Sequence, residues 1–368
     1  MKILFPIGTF YPAQSGGPSN TVYWLAKALV KKNIEVSVVT TSKDIKDSSY
    51  KFDEWLNIDG IKVCYTNRNK YPFKILHESF SELKKVDIVH LTSLFDIISL
   101  PIALASLFFK KKIIWSVRGE LEDYALSHRR KKGKNIFLKI IRMFKNKIIF
   151  HSTSTSETNN IIRVLGEEVS IIELPNYIEL PQKKKIEYKK QLLFVGRIHK
   201  IKSIHNLIYG LSMSNEFKES DFFLKIAGVG DEKYRDELND IIKEEKLENK
   251  VFLLNRRVEG DEKQRLYAES FFSFLVSESE NFGAVVVESM AQGTPVITSK
   301  GTPWNELEKE KSGFWIDNTP ESIASKIDEV LTMDKKEYIE MRRKAYSHVL
   351  KKYDVDKNIN KWIQEYNV

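Results

Sequence analysis

Two cations and two carboxylates stand in this chain where ligand chemistry could use them. An apolar run ending in Phe194-Val195 is followed by Gly196-Arg197-Ile198-His199-Lys200-Ile201-Lys202-Ser203. Arg197 and Lys202 would emerge together beyond the carboxyl end of a strand, where open α/β sheets bind ligands. A planar guanidinium and a point-charge ammonium suit a diphosphate and can neutralise the charge that grows on a departing phosphate. Lys200 is assigned to solvent. A second apolar run ends in Ser277-Glu278-Ser279-Glu280-Asn281-Phe282-Gly283, and a helix-like segment then carries Glu288 about one turn in. Glu280 can accept hydrogen bonds from sugar hydroxyls, and Glu288 can accept from a ribose diol. Between them, the amides from Gly283 through Ala284 to Val285 can hold a phosphate with the help of the helix dipole. Glu278 reads as a surface carboxylate. Used instead as the acid and nucleophile of a glycoside hydrolase, Glu280 and Glu288 would leave the cations without a role.

A third candidate lies near the start. Gly16-Gly17-Pro18-Ser19-Asn20 precedes the helix-like run Thr21 to Lys31, so backbone amides there could approach an anion closely. The three-glycine dinucleotide fingerprint is absent, and a plain strand-to-helix turn reads the double glycine equally well.

The elements that must position these residues alternate. Strand-like runs at Lys2 to Ile7, Glu35 to Thr40, Ile61 to Thr66, Asp87 to Thr92, Lys112 to Val117 and Ile148 to Thr153 are separated by helix-length amphipathic segments. The rhythm restarts with Gln191 to Val195, Phe222 to Ala227, Lys250 to Leu254, Phe272 to Val276, Pro295 to Thr298 and Gly313 to Ile316. Alternation of this kind predicts two Rossmann-like, doubly wound α/β domains. The first is expected over 1–180, a charged, proline-opened linker over 181–190, the second over 191–345, and a helical tail over 346–368 that returns to the first domain.

Length agrees with two domains, since 368 residues exceed one ordinary core. Cys64 is the single cysteine, which excludes an intramolecular disulfide and favours the cytoplasm. The apolar run Ile97 to Phe109 is too short to span a bilayer and reads as a core helix. A net charge of +9 and a pI near 9.1 admit phosphates, nucleic acid or an anionic membrane. That charge concentrates in residues 129–147, where Phe137, Ile140, Ile141, Phe144 and Ile148 recur at helical spacing among Lys139, Arg142, Lys145 and Lys147. Such a basic amphipathic helix packs its apolar stripe on the sheet and can still touch an anionic leaflet, so the expected location is cytoplasmic and peripheral to the inner face of the plasma membrane.

Taken in order, the double glycine, Gly196-Arg197 with Lys202, Gly228-Val229-Gly230-Asp231, Glu280-Asn281-Phe282-Gly283 with Glu288, and Ala291-Gln292-Gly293-Thr294-Pro295-Val296-Ile297 resemble the retaining glycosyltransferases of the GT-B fold, family 4. The likeness covers nearly the whole chain. It implies two Rossmann-like domains facing a central cleft, with the nucleotide-sugar donor held mainly by the second. It also implies Arg197 and Lys202 on the leaving diphosphate, Glu280 on the sugar, Glu288 on the ribose, and Gly228, Arg257 and Val258 at the donor, with no cofactor and no metal. A glycan or lipid-linked glycan of bacterial surface polysaccharide is the implied acceptor, with Arg118, Glu120 and Asp123 on its side. Three positions depart from the pattern, since Arg118 stands where many members have histidine, and Ser203 and Asn255 stand where glycine is usual. The other readings of the chain are a GT-B sugar-nucleotide epimerase or hydrolase, and a basic nucleic-acid binder. The latter is disfavoured because the basic runs sit apart from the aromatics.

Overall fold

The computed structural model describes residues 1–13, 17–45, 50–127 and 131–368, with only the backbone of Lys131. The chain forms two compact units, Met1–Glu179 with Val355–Val368, and Leu180–Asp354.

In the first unit β1 (Lys2–Pro6), β2 (Glu35–Thr41), β3 (Trp55–Ile58), β4 (Ile61–Thr66), β5 (Ile88–Thr92), β6 (Lys112–Ser116), β7 (Ile149–Ser152) and β8 (Ser170–Glu173) make one sheet in the order β3-β4-β2-β1-β5-β6-β7-β8. All pairs are parallel except the edge pair β3–β4. Neighbouring strand residues alternate between two cores, as a pleated strand covered on both faces requires. Ile3, Phe5, Val38 and Ile88 join the helix Gly17–Lys31 and the C-terminal helix Val355–Asn367 on one face. Leu4, Val39, Val89 and Trp115 join the helices Phe73–Leu83, Ser99–Phe108 and Lys131–Arg142 on the other.

The second unit holds β9 (Gln191–Val195), β10 (Phe223–Ala227), β11 (Val251–Leu253), β12 (Phe272–Leu275), β13 (Val296–Ser299) and β14 (Gly313–Ile316), all parallel in the order β11-β10-β9-β12-β13-β14. Within the unit this is the 3-2-1-4-5-6 order of dinucleotide-binding sheets. The two doubly wound α/β units are those expected from the alternation.

Three details differ from expectation. The hairpin β3–β4 was not anticipated, although Asp59 and Gly60, both at positive φ, are the dipeptide that a two-residue turn selects. Residues 181–190 belong to the second unit, where Tyr188 packs edge-on to Tyr338. The tail crosses back at 354/355 and not at 346, because the helix Lys335–Lys352 keeps Tyr338, Met341 and Ala345 buried in the second unit. Beyond the crossing, Val355, Ile359, Trp362 and Tyr366 are buried against the first, and Asp356 pairs with Lys31 at 2.9 Å.

Candidate active site

The strand order of the second sheet reverses between β9 and β12, so the connections leaving their carboxyl ends diverge and open a crevice. The two sets of candidate residues leave these two strands. Backbone bonds tie the loops together, with Glu278 N–H donating to the Ile201 carbonyl at 2.8 Å and Glu280 N–H to that of Gly301 at 2.9 Å. Sequence reasoning missed Gly301, where a Cβ would stand 2.5 Å from the Ser277 carbonyl oxygen. Lys202 ends a turn whose start is capped by His199, which accepts from Ile201 N–H at 3.2 Å. Its ammonium forms an ion pair with the Glu280 carboxylate, and both side chains are largely buried. Arg197 is exposed and makes no hydrogen bond or ion pair with any described residue. Glu278 is exposed, as expected.

Gly283 caps the helix Ala284–Ala291 at φ 75°, ψ 66°, left-handed backbone where a side chain is strained. A Cβ there would also lie 2.4 Å from Leu275 Cδ2. No side chain caps that helix, and of its first amides Val286 donates to the Gly283 carbonyl at 2.9 Å. Asn281 is half-buried. Phe282 is buried, its ring packed on Trp304 and Tyr353 while its carbonyl accepts from Trp304 Nε1 at 2.5 Å. The Phe282 ring therefore fixes the loop and does not face a ligand.

Glu288, on the same helix, accepts from Lys263 Nζ at 2.8 Å and from the buried Tyr267 hydroxyl at 3.4 Å. Nothing in the spacing singled out Lys263, which arrives from the helix Gly260–Glu269. Gly228 serves packing. A Cβ on it would fall 1.8 Å from the Gly196 carbonyl oxygen, so the loop after β10 lies directly on the loop that bears Arg197. Val258 is buried under β9 with Leu193 and Val195, so only its backbone can meet a ligand. Arg257 is exposed beside Glu259. The two unusual replacements share one explanation. Ser203 and Asn255 both hold positive φ, 48° and 47°, where glycine is easiest. Ser203 gains a compensating bond from Asn318 Nδ2 at 3.0 Å.

Behind the Phe282 cluster, Glu306 accepts from His348 at 3.1 Å, from Tyr353 at 2.5 Å and from Lys352. Burial raises its pKa, but these three donors outweigh it and hold the carboxyl at about 2, below the ordinary 4.5. A depressed carboxylate contributes stability that is present above its unfolded pKa and lost as pH falls through the folded one. Glu306→Gln should therefore cost roughly 2–3 kcal/mol at pH 7. The gap between wild type and variant should narrow as pH falls from about 4.5 towards 2, as urea unfolding at about pH 7, 4 and 3 would show.

The first-unit candidates are scattered by comparison. Gly16 lies outside the described residues. Gly17 opens its helix, and a Cβ added there would meet no atom within 4 Å. Arg118 sits at φ 60°, half-buried, with Nη1 donating to Asn176 Oδ1 and Nε buried without a partner. Burial lowers its guanidinium to about 10, which leaves it charged at neutral pH. The histidines near it are occupied. His151 Nε2 must donate to the Leu174 carbonyl at 2.9 Å, so Nδ1 accepts from Ser116 Oγ, which in turn accepts from His90 Nε2, while His90 Nδ1 accepts from Tyr366. Burial, and then the Arg118 charge, push His151 down to about 3. Glu120 is a correction to the acceptor-side set. Its oxygens accept from Ser93 Oγ at 2.6 Å and from the amides of Leu94 and Phe95 at 2.5 and 3.0 Å, so the carboxylate organises the loop after β5. Asp123 is exposed and pairs with Arg163 at 2.6 Å. Among the described residues no cluster of three metal-ligating side chains occurs, and no helix is long and apolar enough to cross a membrane.

Two doubly wound α/β units, the second with a crevice at its strand switch, are the architecture of the GT-B glycosyltransferases. The chain belongs to them, since residues 15–176 match the family model Glycosyltransferase Family 4, and residues 177–348 match Glycosyl transferases group 1. An uncharacterised glycosyltransferase of Methanocaldococcus jannaschii is 34% identical over 183 residues, a match spanning 49% of this chain and only 45% of that one. One from Haemophilus influenzae is 25% identical over 95% of both chains. The alpha-monoglucosyldiacylglycerol synthase of Streptococcus pneumoniae is 23% identical over 84% of this chain and 74% of its own length. In structure, HepE of Anabaena, solved in complex with UDP and glucose, superposes with a TM-score of 0.78 over 100% of this chain and 99% of that one, at 18% identity.

Proposed function

We propose that this glycosyltransferase moves a sugar from a nucleoside-diphosphate donor, with retention of anomeric configuration and without a metal ion, to a glycan or lipid-linked glycan acceptor of bacterial surface polysaccharide. The observation that carries the reading is the Lys202–Glu280 pair at the strand switch, beside the uncapped amides of the helix Ala284–Ala291. Within the pair each charge neutralises the other. When a donor enters, its diphosphate replaces Glu280 as the partner of Lys202, and the freed carboxylate accepts from a sugar hydroxyl. Arg197 has no competing partner and takes up the second phosphate charge as the glycosidic bond breaks. Glu288, held by Lys263, accepts from the ribose. The cations thus supply the positive charge that stabilises the leaving group, and neither carboxylate needs to change protonation.

Arg118, Asp123 and the first helix turn at Gly17 are the polar groups of the first unit left for an acceptor, and residues 129–147 are read as its contact with an anionic membrane on the cytoplasmic side. The pneumococcal relative is named for making a glucosylated diacylglycerol, which supports a lipid-borne acceptor. A thermal-shift screen against nucleoside diphosphates and their sugars tests the donor reading, since a ligand bound to the folded state alone raises the apparent stability by mass action. At ligand a hundredfold over Kd the gain is about 2.7 kcal/mol. Failure of every nucleotide to shift the transition would refute it.

A further inference from the structure

The apolar stripe expected to serve residues 129–147 is turned inward. Ile141 and Ile148 are buried, and Phe137 and Phe144 pack on the same core, Phe137 edge-on to Phe95 at 5.5 Å. What faces outward is a different set. On the helix Lys131–Arg142 and its C-terminal flank, Lys132, Ile136, Lys139 and Met143 recur at i, i+4, i+7 and i+11, on the side opposite the buried Leu138 and Ile141. The same spacing occurs twice more on this face of the sheet. Phe73, His77, Phe80 and the C-cap Lys84 follow it on the outer side of the helix Phe73–Leu83, and Ile97 in the turn before the helix Ser99–Phe108 is followed at that spacing by Pro101, Leu104 and Phe108 along it. All three helices bury their inner sides in one cluster, so the three stripes share one outer surface.

That surface carries the most exposed large apolar side chains among the described residues, apart from the C-terminal Val368: Met143 at 83%, Phe108 at 81%, Phe73 at 80%, Ile136 at 62% and Ile97 at 60%. Apolar groups so displayed and grouped on one face mark a docking surface. Its charge is predominantly positive, with Asp96 bonded to the Tyr71 hydroxyl. No acidic residue occurs from Ile97 to Gly119 or from Tyr124 to Ser156, while Lys110, Lys132 and Lys139 are exposed. On the helix Phe73–Leu83, Glu78 pairs with Lys74, and Glu82 with Lys62 and Lys85.

We infer that this three-helix face docks on an anionic lipid surface, with Phe73, Ile97, Phe108, Ile136 and Met143 entering the headgroup–acyl boundary while the lysines between them meet lipid phosphates. Protruding apolar side chains interleaved with cations fit that interface, because burial of the former and attraction of the latter act at the same depth. A second copy of the chain fits poorly, since a symmetric contact would set one basic face against another. The inference deepens the membrane contact proposed for residues 129–147 and does not depend on the donor reading.

Sedimentation of the full chain with phosphatidylcholine vesicles, with and without phosphatidylglycerol, tests it. Binding is expected to the anionic vesicles and to weaken as salt rises. Phe108→Ser combined with Met143→Ser should lower the partition coefficient by about a hundredfold, the loss expected for two inserted apolar side chains. Lys132→Glu with Lys139→Glu should abolish the preference for anionic lipid. Phe108→Trp should become quenchable by brominated acyl chains on binding. Unchanged binding of the serine pair, or a tryptophan that bromolipid never quenches, would overturn the inference. So would a dimer in light scattering that the serine pair dissolves, which would make a second copy the occupant. Nucleotide-induced thermal shifts measured on the same variants separate this outcome from failure of the donor reading.

Discussion

Lys202→Ala and Glu280→Ala should each lower kcat by about 10²–10³-fold, the usual loss when one group aimed at transition-state charge is removed, yet they should act oppositely on the nucleotide product. Lys202 and Glu280 are each other's partner. Removing Lys202 takes away a phosphate ligand and leaves a largely buried carboxylate unpaired, so affinity for the nucleoside diphosphate falls and the fold weakens. Removing Glu280 frees Lys202 for the diphosphate, so the product binds as tightly or more tightly while the nucleotide sugar loses a hydroxyl acceptor. Lys202→Arg should not restore turnover, because a planar fork cannot occupy the position of a point charge. Titration of the two variants with a nucleoside diphosphate and with its sugar, beside their turnover rates, reads all of this. Parallel losses of product affinity in both variants would remove the exchange of partners from the mechanism, and full turnover in either would remove the residue from it.

Both members of the ion pair were legible as separate candidates, though not as partners, because each closely follows an apolar run, Gln191 to Val195 or Phe272 to Val276, that matches its strand to within a residue. Arg197, Lys202, Glu280 and Glu288 all follow β9 or β12, and the two strands are neighbours because the second sheet has the 3-2-1-4-5-6 order. Lys263 and Gly301 were not legible. They reach the site from a helix face and from the end of β13, positions that acquire meaning only when the sheet is assembled. Glu120 shows the opposite failure. A carboxylate a few residues beyond β6 resembles a site residue in sequence, but the amides of Leu94 and Phe95 arrive from a segment about 25 positions away and claim one of its oxygens, while Ser93 claims the other. Periodicity over residues 135–148 correctly predicted an amphipathic helix with its stripe on the sheet. It could not show that neighbouring helices carry matching outward stripes, since that needs the sheet face each helix covers. The antiparallel strand β3 was overlooked for a local reason, because the parallel rhythm elsewhere hid a short strand joined by a two-residue turn.

Glycine offers the second large effect, because the glycines marked in the sequence have unlike roles. A Cβ on Gly228 would stand 1.8 Å from the Gly196 carbonyl oxygen, a backbone atom that no rotamer change can move. Gly228→Ala must therefore push apart the loops after β9 and β10, at a cost of roughly 2–4 kcal/mol, which lowers the transition of a unit this size by about 10 °C. Because the displaced loop bears Arg197, turnover should also fall at temperatures where the variant is fully folded. Gly17 supplies the contrast. It lies in helical backbone with open space where a Cβ would go, so Gly17→Ala should leave stability unchanged or raise it by up to ~1 kcal/mol. A loss of transfer in Gly17→Ala would then report a ligand brought close to that backbone, and full transfer would assign the glycine to the turn alone. Calorimetry and initial rates on the two alanine variants make the comparison, and a Gly228→Ala protein as stable as wild type would show that the contact between the two loops gives way at no cost.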